Sequence, residues 1–357
     1  MFLKKIISRS FLFKNFYLRF NKDTYYKKDN MHFYGSLKLW RILFINLMNP
    51  GRFLIRLKYG QIFKNKKKIL NRFNESILIN KKKEFNQGYF NEEKILKLKN
   101  GINTLIEDGG VVINNYFNEK QIDDFVNSNK DIISKIKLTE NINNDAKYFF
   151  ETIKLNKQLK NFWYDPGLIM LLESYFDKKV YARNYPAIKY TEVPKNFNTS
   201  KLASDWHVDH SLIFNLFVLL EDVEETGTRM QIIKGSHKYQ NTGNFMYSEN
   251  SLKNTEIINF FGKKGSIHIH LGNTIHKAQL SSGKNRLNLY FEYTLGPNIL
   301  LNTNSIIKSI DKNFDIEDSK NLNSNEREFL RGIYPKVLNK GYEIKKDSLN
   351  STGYKGI

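Results

Sequence analysis

The chain has 357 residues, a formal charge of +21 and no cysteine. The missing thiols exclude disulfides, thiolate zinc sites, iron–sulfur clusters and cysteine nucleophiles, and they suit a reducing compartment. Apolar residues at 40% of the chain, with 14% aromatics, indicate a folded protein rather than a disordered one. The charge is uneven, because residues 1–100 hold 24 basic and 6 acidic side chains against 33 and 30 in the remainder.

The basic segment, which we delimit as residues 1–98, contains two apolar stretches, at 1–20 and 37–57. Both are interrupted by Lys or Arg, so neither fits a cleaved signal or a bilayer-spanning helix of about 20 apolar residues. One interpretation is amphipathic helices on an anionic membrane surface, helped by the lysine runs at 66–68 and 81–83. The other interpretation is that these helices pack on the following domain. No nucleic-acid-binding motif accompanies the charge, so we expect no nucleic acid partner.

A domain spanning residues 99–300 follows, and its pattern is helical first and β-rich afterwards. The residues after Asp108 predict a short strand, and Asn118 with Gln121 predicts a capped helix over 119–136. A second helix is expected at 166–176. Further strands, separated by Gly, Asn and Ser, are expected at 180–185, 212–220, 230–233, 266–270 and 287–294. This spacing predicts an antiparallel sandwich or barrel.

The remaining residues, 301–357, form a polar tail that we expect to pack on the core as a helical segment. Asn325 and Glu328 predict one capped helix within this tail.

The chemistry points to one triplet, His207-Val208-Asp209, in which the chain's single His-x-acid arrangement occurs. On an extended strand, alternate side chains lie on the same face, so His207 and Asp209 can bind one ion. Two imidazoles and one carboxylate on one face of an octahedral iron leave three positions open. The chemistry therefore requires a second, distant histidine.

Five histidines are candidates for this third ligand: His210, His237, His268, His270 and His276. The spacing to Arg286, ten residues further on, favours His276. A dicarboxylate that chelates iron needs a cation for its far carboxylate, and arginine offers a bidentate fork. His270 remains the closest competitor of His276.

Several stretches resemble the phytanoyl-CoA dioxygenase-like family of Fe(II)- and 2-oxoglutarate-dependent oxygenases, over roughly residues 100–296. The matching stretches, in family order, are 110–117 (GVVINNYF), 205–210 (DWHVDH), 218–223 (VLLEDV), 232–237 (IIKGSH), 265–270 (GSIHIH), 274–277 (TIHK) and 286–290 (RLNLY). The resemblance implies a mainly β core, a double-stranded β-helix or cupin-like jelly roll with flanking helices and a basic N-terminal helical extension.

The resemblance also implies iron bound by His207, Asp209 and His276, with the far carboxylate of 2-oxoglutarate at Arg286. It implies no catalytic side chain beyond the metal ligands. Two positions depart from the family pattern. Lys234 occupies a turn that often has proline, and Ala278 replaces a small polar residue that sometimes helps to bind the cosubstrate. We expect another group to serve instead, and the candidates are Lys189, Tyr190 and Asn215.

The predicted function is a dioxygenase that uses O2 and 2-oxoglutarate to hydroxylate an unidentified small molecule, lipid or glycan, releasing succinate and CO2. Asp209 favours hydroxylation over halogenation, because related iron halogenases lack this carboxylate. One alternative is a non-catalytic peripheral membrane or glycan-binding protein on the same barrel, and another is a cupin-like metal isomerase. We expect a cytoplasmic protein, with attachment to the inner face of a membrane as the open alternative.

Overall fold

The structure is a computed structural model, and it describes the larger part of residues 65–295. The described residues are 32–33, 65–82, 91–138, 146–149, 157–183, 186–193, 205–209, 213–240, 247, 249–295 and 323–330. The apolar stretches at 1–20 and 37–57, the position of His210 and most of the tail after residue 300 lie outside these ranges.

Seven α-helices are described within these ranges. They are α1 (Lys66–Lys82), α2 (Glu92–Asp108), α3 (Glu119–Ser128), α4 (Lys130–Leu138), α5 (Lys157–Trp163), α6 (Pro166–Phe176) and α7 (Ser324–Leu330). The described strands number twelve. They are β1 (His32–Phe33), β2 (Gly110–Ile113), β3 (Ala146–Phe149), β4 (Tyr181–Ala182), β5 (Ala187–Thr191), β6 (Ile213–Leu219), β7 (Arg229–Ile233), β8 (Tyr239–Gln240), β9 (Ile257–Phe260), β10 (Ile267–Leu271), β11 (His276–Gln279) and β12 (Arg286–Thr294).

Two antiparallel sheets form the centre of the fold. The larger has the strand order β2-β10-β6-β12-β5-β3, with β4 added beside β12, and the smaller has the order β11-β7-β9. Strands β1 and β8 form a separate pair. Every described pairing between strands is antiparallel, as the sequence predicted for a sandwich or barrel.

The large sheet is buried on both faces, and its residues alternate between two environments. On β10, Ile267, Ile269 and Leu271 pack with the helices, while His268 and His270 point to the opposite face. That opposite face meets the small sheet through a second apolar cluster. Its members are Ala187, Phe217, Met230, Ile232, Phe260 and Tyr290. The interior between the sheets therefore receives one side chain in every two from each strand.

Helix caps explain where several helices begin and end. Asn118 and Gln121 form the predicted capping box at the start of α3, each side chain bonding the other's backbone N–H. The single helix predicted over 119–136 is wrong, because the chain breaks at Asn129 into α3 and α4. There, the Asn129 side chain donates to the carbonyl of Phe125 and Ser128 donates to that of Asp124. Such side-chain bonds compete with helix continuation.

Helix α6 begins and ends where the sequence predicted, with Asp165 as its N-cap. The tail helix α7 exists, but its predicted cap is wrong. Asn323, not Asn325, accepts from the first backbone amides, and Glu326, not Glu328, accepts from the Asn323 N–H. The cap therefore lies two residues earlier than expected.

Helix α1, which lies in the basic segment, packs on α6. Its buried side chains Ile69, Phe73 and Ile77 recur at helical spacing and join the main core. Arg72 donates to the carbonyl of Ser174 at 3.0 Å. The opposite face carries exposed Lys66–Lys68 together with exposed Leu78 and Ile79. Among the residues that the structure describes, no helix is long and apolar enough to span a membrane.

Candidate metal and cosubstrate site

The structure brings together His207, Asp209 and His276, the three residues predicted to bind metal. The backbones of the two histidines form an isolated antiparallel bridge, with N–H to carbonyl distances of 2.9 and 2.8 Å in the two directions. The Nε2 atom of His207 lies 3.9 Å from Asp209 Oδ1, and that of His276 lies 3.5 Å from Asp209 Oδ2. One ligand atom from each residue lies within 4.8 Å of the others.

Hydrogen bonds at the far side of each ring orient the two histidines. His207 Nδ1 lies 2.7 Å from the carbonyl of Asp205, and His276 Nδ1 lies 2.8 Å from that of Thr274. A carbonyl only accepts, so each Nδ1 carries a hydrogen, and in the neutral ring the lone pair is then on Nε2. Bonds of this type hold metal-ligating histidines in other proteins. The two lone pairs are thus directed toward the carboxylate.

Burial and the neighbouring groups shift the pKa values of His276 and Asp209 in this cluster. Burial lowers the pKa of His276 to about 4, with a further contribution from His207, so its ring is neutral at pH 7. Burial alone would raise the pKa of Asp209, but the two histidine rings and the Asn215 amide hold it below its usual value. Two imidazole Nε2 atoms and a carboxylate that face one another suit a cation between them. The donor set fits iron, which takes two histidines and one carboxylate.

The other candidate histidines lie elsewhere. His270 is close to His276, with ring centroids 4.1 Å apart, but it does not belong to the cluster of ligand atoms. His268 lies two residues before His270 on β10, and its ring contacts that of Phe260. His237 lies in a 3-10 turn and bonds the carbonyl of Ile106. Among the described histidines, only His207 and His276 face Asp209 with a ring nitrogen.

The turn that contains Ser236 and His237 anchors the loop before His276. Ser236 Oγ accepts from the backbone N–H of Ile275 at 2.9 Å, and Asn273 donates to the carbonyl of His237 at 2.9 Å. Thr274 donates from its hydroxyl to the carbonyl of Gly109 at 2.7 Å. These anchoring residues were not singled out from the sequence, although the Gly-Ser-His stretch was among the matching motifs. They hold the backbone whose carbonyl orients the His276 ring.

Two buried cations project between the sheets from neighbouring strands. Arg286 begins β12 and Lys189 lies in β5, and both belong to the inward-facing set. The Arg286 guanidinium lies 5.8 Å and the Lys189 Nζ 5.4 Å from the centre of the Phe217 ring. A barrel interior that holds two cations near a metal site suits a doubly charged anion. Tyr190 points to the opposite face and joins the helix-facing core, so it does not reach this interior.

Asn215, on β6, contacts Asp209, His270 and Tyr290. Its amide nitrogen donates to Asp209 Oδ2 at 2.5 Å and lies 3.0 Å from His270 Nε2. Its oxygen accepts from the Tyr290 hydroxyl at 3.2 Å, and that hydroxyl also bonds Glu292. Glu292 is paired in turn with Arg183. The sequence suggested Asn215 for the cosubstrate, whereas in the structure its amide hydrogens are directed to Asp209 and His270.

Ala278, the position that departs from the family pattern, lies in β11 opposite Met230 and is buried. A methyl group there can form no hydrogen bond to a cosubstrate. The expectation that another group takes over this contact stays a prediction.

The comparison with protein families shows to which family the chain belongs. The phytanoyl-CoA dioxygenase (PhyH) profile matches residues 105–287, slightly more than half of the chain, and the match includes all three metal-site residues and Arg286. The chain belongs to the phytanoyl-CoA dioxygenase family. Its double-stranded β-helix fold and its cofactors, iron and 2-oxoglutarate, are thereby confirmed, as are O2 and 2-oxoglutarate as small-molecule partners.

Solved structures of similar fold are distant in sequence. They include the non-heme α-ketoglutarate-dependent epimerase SnoN from nogalamycin biosynthesis, at 15% identity over 56% of this chain and 83% of that one, with a TM-score of 0.45. The carbocyclase SnoK from the same biosynthesis has 14% identity over 55% and 83%, with a TM-score of 0.45. EctD from S. alaskensis, with 2-oxoglutarate and 5-hydroxyectoine, has 12% identity over 58% and 77%, with a TM-score of 0.40. No curated protein matches the chain.

Proposed function

We propose that this member of the 2-oxoglutarate oxygenase class is a hydroxylase whose iron is bound by His207, Asp209 and His276. The observation that carries the proposal is the cluster in which two imidazole Nε2 atoms face one carboxylate at 3.5 and 3.9 Å. The burial of His276 supports it, because a buried ring nitrogen that faces a carboxylate is costly unless a cation joins the two.

The side chains around the cluster have separate roles in this proposal. Asn215 holds Asp209 through Oδ2, which leaves Oδ1 for the metal. Arg286 and Lys189 bind the far carboxylate of 2-oxoglutarate, and the Phe217 ring between them forms an apolar wall for its methylene groups. Arg286 contributes a bidentate fork and Lys189 a point charge.

When bound, iron and 2-oxoglutarate supply the oxidising chemistry, in which O2 is consumed and the keto acid leaves as succinate and CO2. The chain contributes geometry and exclusion of water. Apolar side chains from the small sheet, among them Met230 and Ile232, close the interior opposite Phe217. A dry interior strengthens the attraction between the buried cations and a bound carboxylate.

The first experiment tests the metal site. His207→Ala and Asp209→Ala are each expected to lose Fe(II) binding and 2-oxoglutarate-dependent succinate release, measured on anaerobically prepared protein. Asp123→Ala is the matched control, because Asp123 is a carboxylate on α3 that pairs with Lys264 at the surface. Undiminished iron content in either ligand variant contradicts the assignment. A wild-type protein that binds neither iron nor 2-oxoglutarate favours the non-catalytic alternative.

The second experiment tests the cosubstrate cations. Arg286→Leu and Lys189→Met are expected to weaken 2-oxoglutarate binding while metal binding persists, measured by calorimetry on metal-loaded protein. Arg286→Lys separates the fork from the charge, since it keeps only the charge. Arg229→Leu is the control, because Arg229 is a strand-borne arginine of the small sheet that bonds Asn259. Unchanged affinity in both cation variants removes their proposed role.

The reaction and substrate are tested together by a screen for succinate release over small molecules, lipids and glycans. Mass spectrometry of the product then separates hydroxylation, which adds one oxygen atom, from an isomerisation, which leaves the mass unchanged. We propose a cytoplasmic location from the absence of cysteine. Cosedimentation of the full chain with anionic and with neutral vesicles tests membrane attachment, and equal behaviour with both removes an electrostatic role for the basic segment.

A further inference from the structure

His270 is a fully buried histidine beside the metal site, and the proposed function gives it no role. It lies on the inner face of β10, directly across from Asn215 in the sheet register. Its ring stacks at 17° on the Phe217 ring, with centroids 5.8 Å apart, and lies 4.1 Å from the His276 ring. Burying a polar ring in this way is costly unless its nitrogens find partners.

The hydrogen bonds around Asn215 assign the hydrogen on His270. Asp209 accepts only, so the nitrogen of the Asn215 amide, not its oxygen, faces it. The same amide nitrogen lies 3.0 Å from His270 Nε2, which must therefore be an acceptor. The single ring hydrogen then lies on Nδ1. Among the described residues, Nδ1 has no hydrogen-bond partner.

This donor lies between the two ends of the cosubstrate site. The His270 ring contacts His276 of the metal site, and it stacks on Phe217, whose ring centre lies 5.4 Å from Lys189 Nζ and 5.8 Å from the Arg286 guanidinium. His270 therefore contacts both a ring of the metal site and the aromatic ring beside the cosubstrate cations. The chelating end of such a molecule shares the ion with His276, the ring that His270 contacts.

We propose that His270 donates a hydrogen bond from Nδ1 to the metal-chelating carboxylate of bound 2-oxoglutarate. His270 is thus a cosubstrate-binding residue that is distinct from the metal ligands and from the cations at the far carboxylate. The inference rests on the proposed function, because it takes the ligand set and the orientation of 2-oxoglutarate from it.

The experiment measures 2-oxoglutarate affinity by calorimetry on protein loaded with Mn(II), so the readout does not depend on turnover. His270→Phe keeps an aromatic ring against Phe217 and removes the donor. We expect about a tenfold to hundredfold weaker 2-oxoglutarate binding, the range for a lost hydrogen bond to a charged group. His270→Asn places an amide N–H near the Nδ1 position and is expected to keep more of the affinity than the phenylalanine variant. Thr294→Val, which removes a buried hydroxyl that faces the same interior, is the control and is expected to bind like wild type.

Competition with fragments locates the contact. Pyruvate carries only the chelating 2-oxo acid end of the cosubstrate. Glutarate carries both carboxylates but lacks the 2-oxo group. His270→Phe is expected to weaken pyruvate binding and to leave glutarate binding unchanged, whereas Arg286→Leu is expected to do the reverse.

Three outcomes overturn the inference. Wild-type affinity for 2-oxoglutarate in both His270 variants shows that no hydrogen bond is made. Loss of Mn(II) in both variants makes His270 a metal ligand instead. Equal weakening in the Thr294 control shows a general packing effect. If the wild-type protein itself binds no Mn(II) or no 2-oxoglutarate, the proposed function fails, and that failure is separate from one confined to the variants.

Discussion

Acid is expected to destabilise the metal-free protein through His237, whose ring is neutral in the fold. Burial lowers the pKa of His237 to about 4, with Lys238 adding to the shift. Its Nε2 bonds the carbonyl of Ile106, and its Nδ1 faces Gly109 without a partner among the described residues. A second proton on this ring would therefore sit at Nδ1 with no acceptor.

The sign and size follow from linkage. The folded-state pKa lies below the ordinary value of 6.5, so the unfolded chain binds more protons once the pH falls below 6.5. Stability is thus complete above that pH and declines as the pH falls toward 4. Between pH 7.5 and pH 5.0 the expected loss from this one group is about 2 kcal/mol.

The assay is denaturant unfolding of wild type and His237→Gln at both pH values, with a chelator present so that metal release does not contribute. Glutamine retains an N–H near Nε2 for the Ile106 carbonyl and cannot titrate. The wild type is expected to lose about 2 kcal/mol more than the variant over this interval. An equal loss in the two proteins refutes the reasoning, because His237 would then titrate alike in the folded and unfolded states.

Three further changes have definite expected results. Gly265→Ala is expected to destabilise the fold by at least about 2 kcal/mol, because its φ is +84° and a Cβ atom would lie 2.3 Å from the Phe117 carbonyl oxygen; the shift in denaturation midpoint measures this. Phe73→Ala is expected to cost about 3–5 kcal/mol, because the ring is almost completely buried between α1 and the core, whereas alanine at the exposed Asn74 is expected to change little. Asn215→Ala is expected to weaken metal binding by about 10- to 100-fold, measured by metal titration, because Asp209 loses its orienting donor.

Each of these three predictions has an outcome that would contradict it. An unchanged midpoint for Gly265→Ala would mean that the turn relaxes around the new methyl group. A Phe73→Ala protein as stable as wild type would contradict the packing of α1 described above. Undiminished metal affinity after Asn215→Ala would show that the backbone at His207 and Asp209 is enough to orient the carboxylate.

Local signals in the sequence predicted local structure well. The capping box of Asn118 and Gln121 and the N-terminus of α6 depend on neighbours a few residues away, so the sequence contains all that determines them. The break at Asn129 depends on side chains that return to the backbone, and polar residues in an amphipathic helix do not reveal that choice. The β-strands were predicted by composition rather than alternation, because both faces of the large sheet are buried.

The site likewise has residues that local spacing predicted and contacts that only the folded structure shows. His207 and Asp209 were predicted from their spacing on one strand, but the bridge between His207 and His276 joins residues that are far apart in sequence. Only the strand pairing shows that the two rings meet. The bonds of Asn215 to Asp209 and His270 come from three separate segments, and no sequence motif marks such a meeting point.

The packing of α1 and α2 shows that the folded core begins earlier in the chain than the similarity to the family. Sequence similarity to the family begins at residue 105, yet Ile69, Phe73, Leu98 and Ile102 already belong to the same continuous core as the large sheet. A polypeptide trimmed to the region of homology would expose the apolar surface of α6 to water, with solubility and cooperative unfolding expected to suffer. The unit that evolution shares and the unit that folds therefore differ at this end, and we propose that expression of the catalytic barrel requires the chain from residue 65 onward.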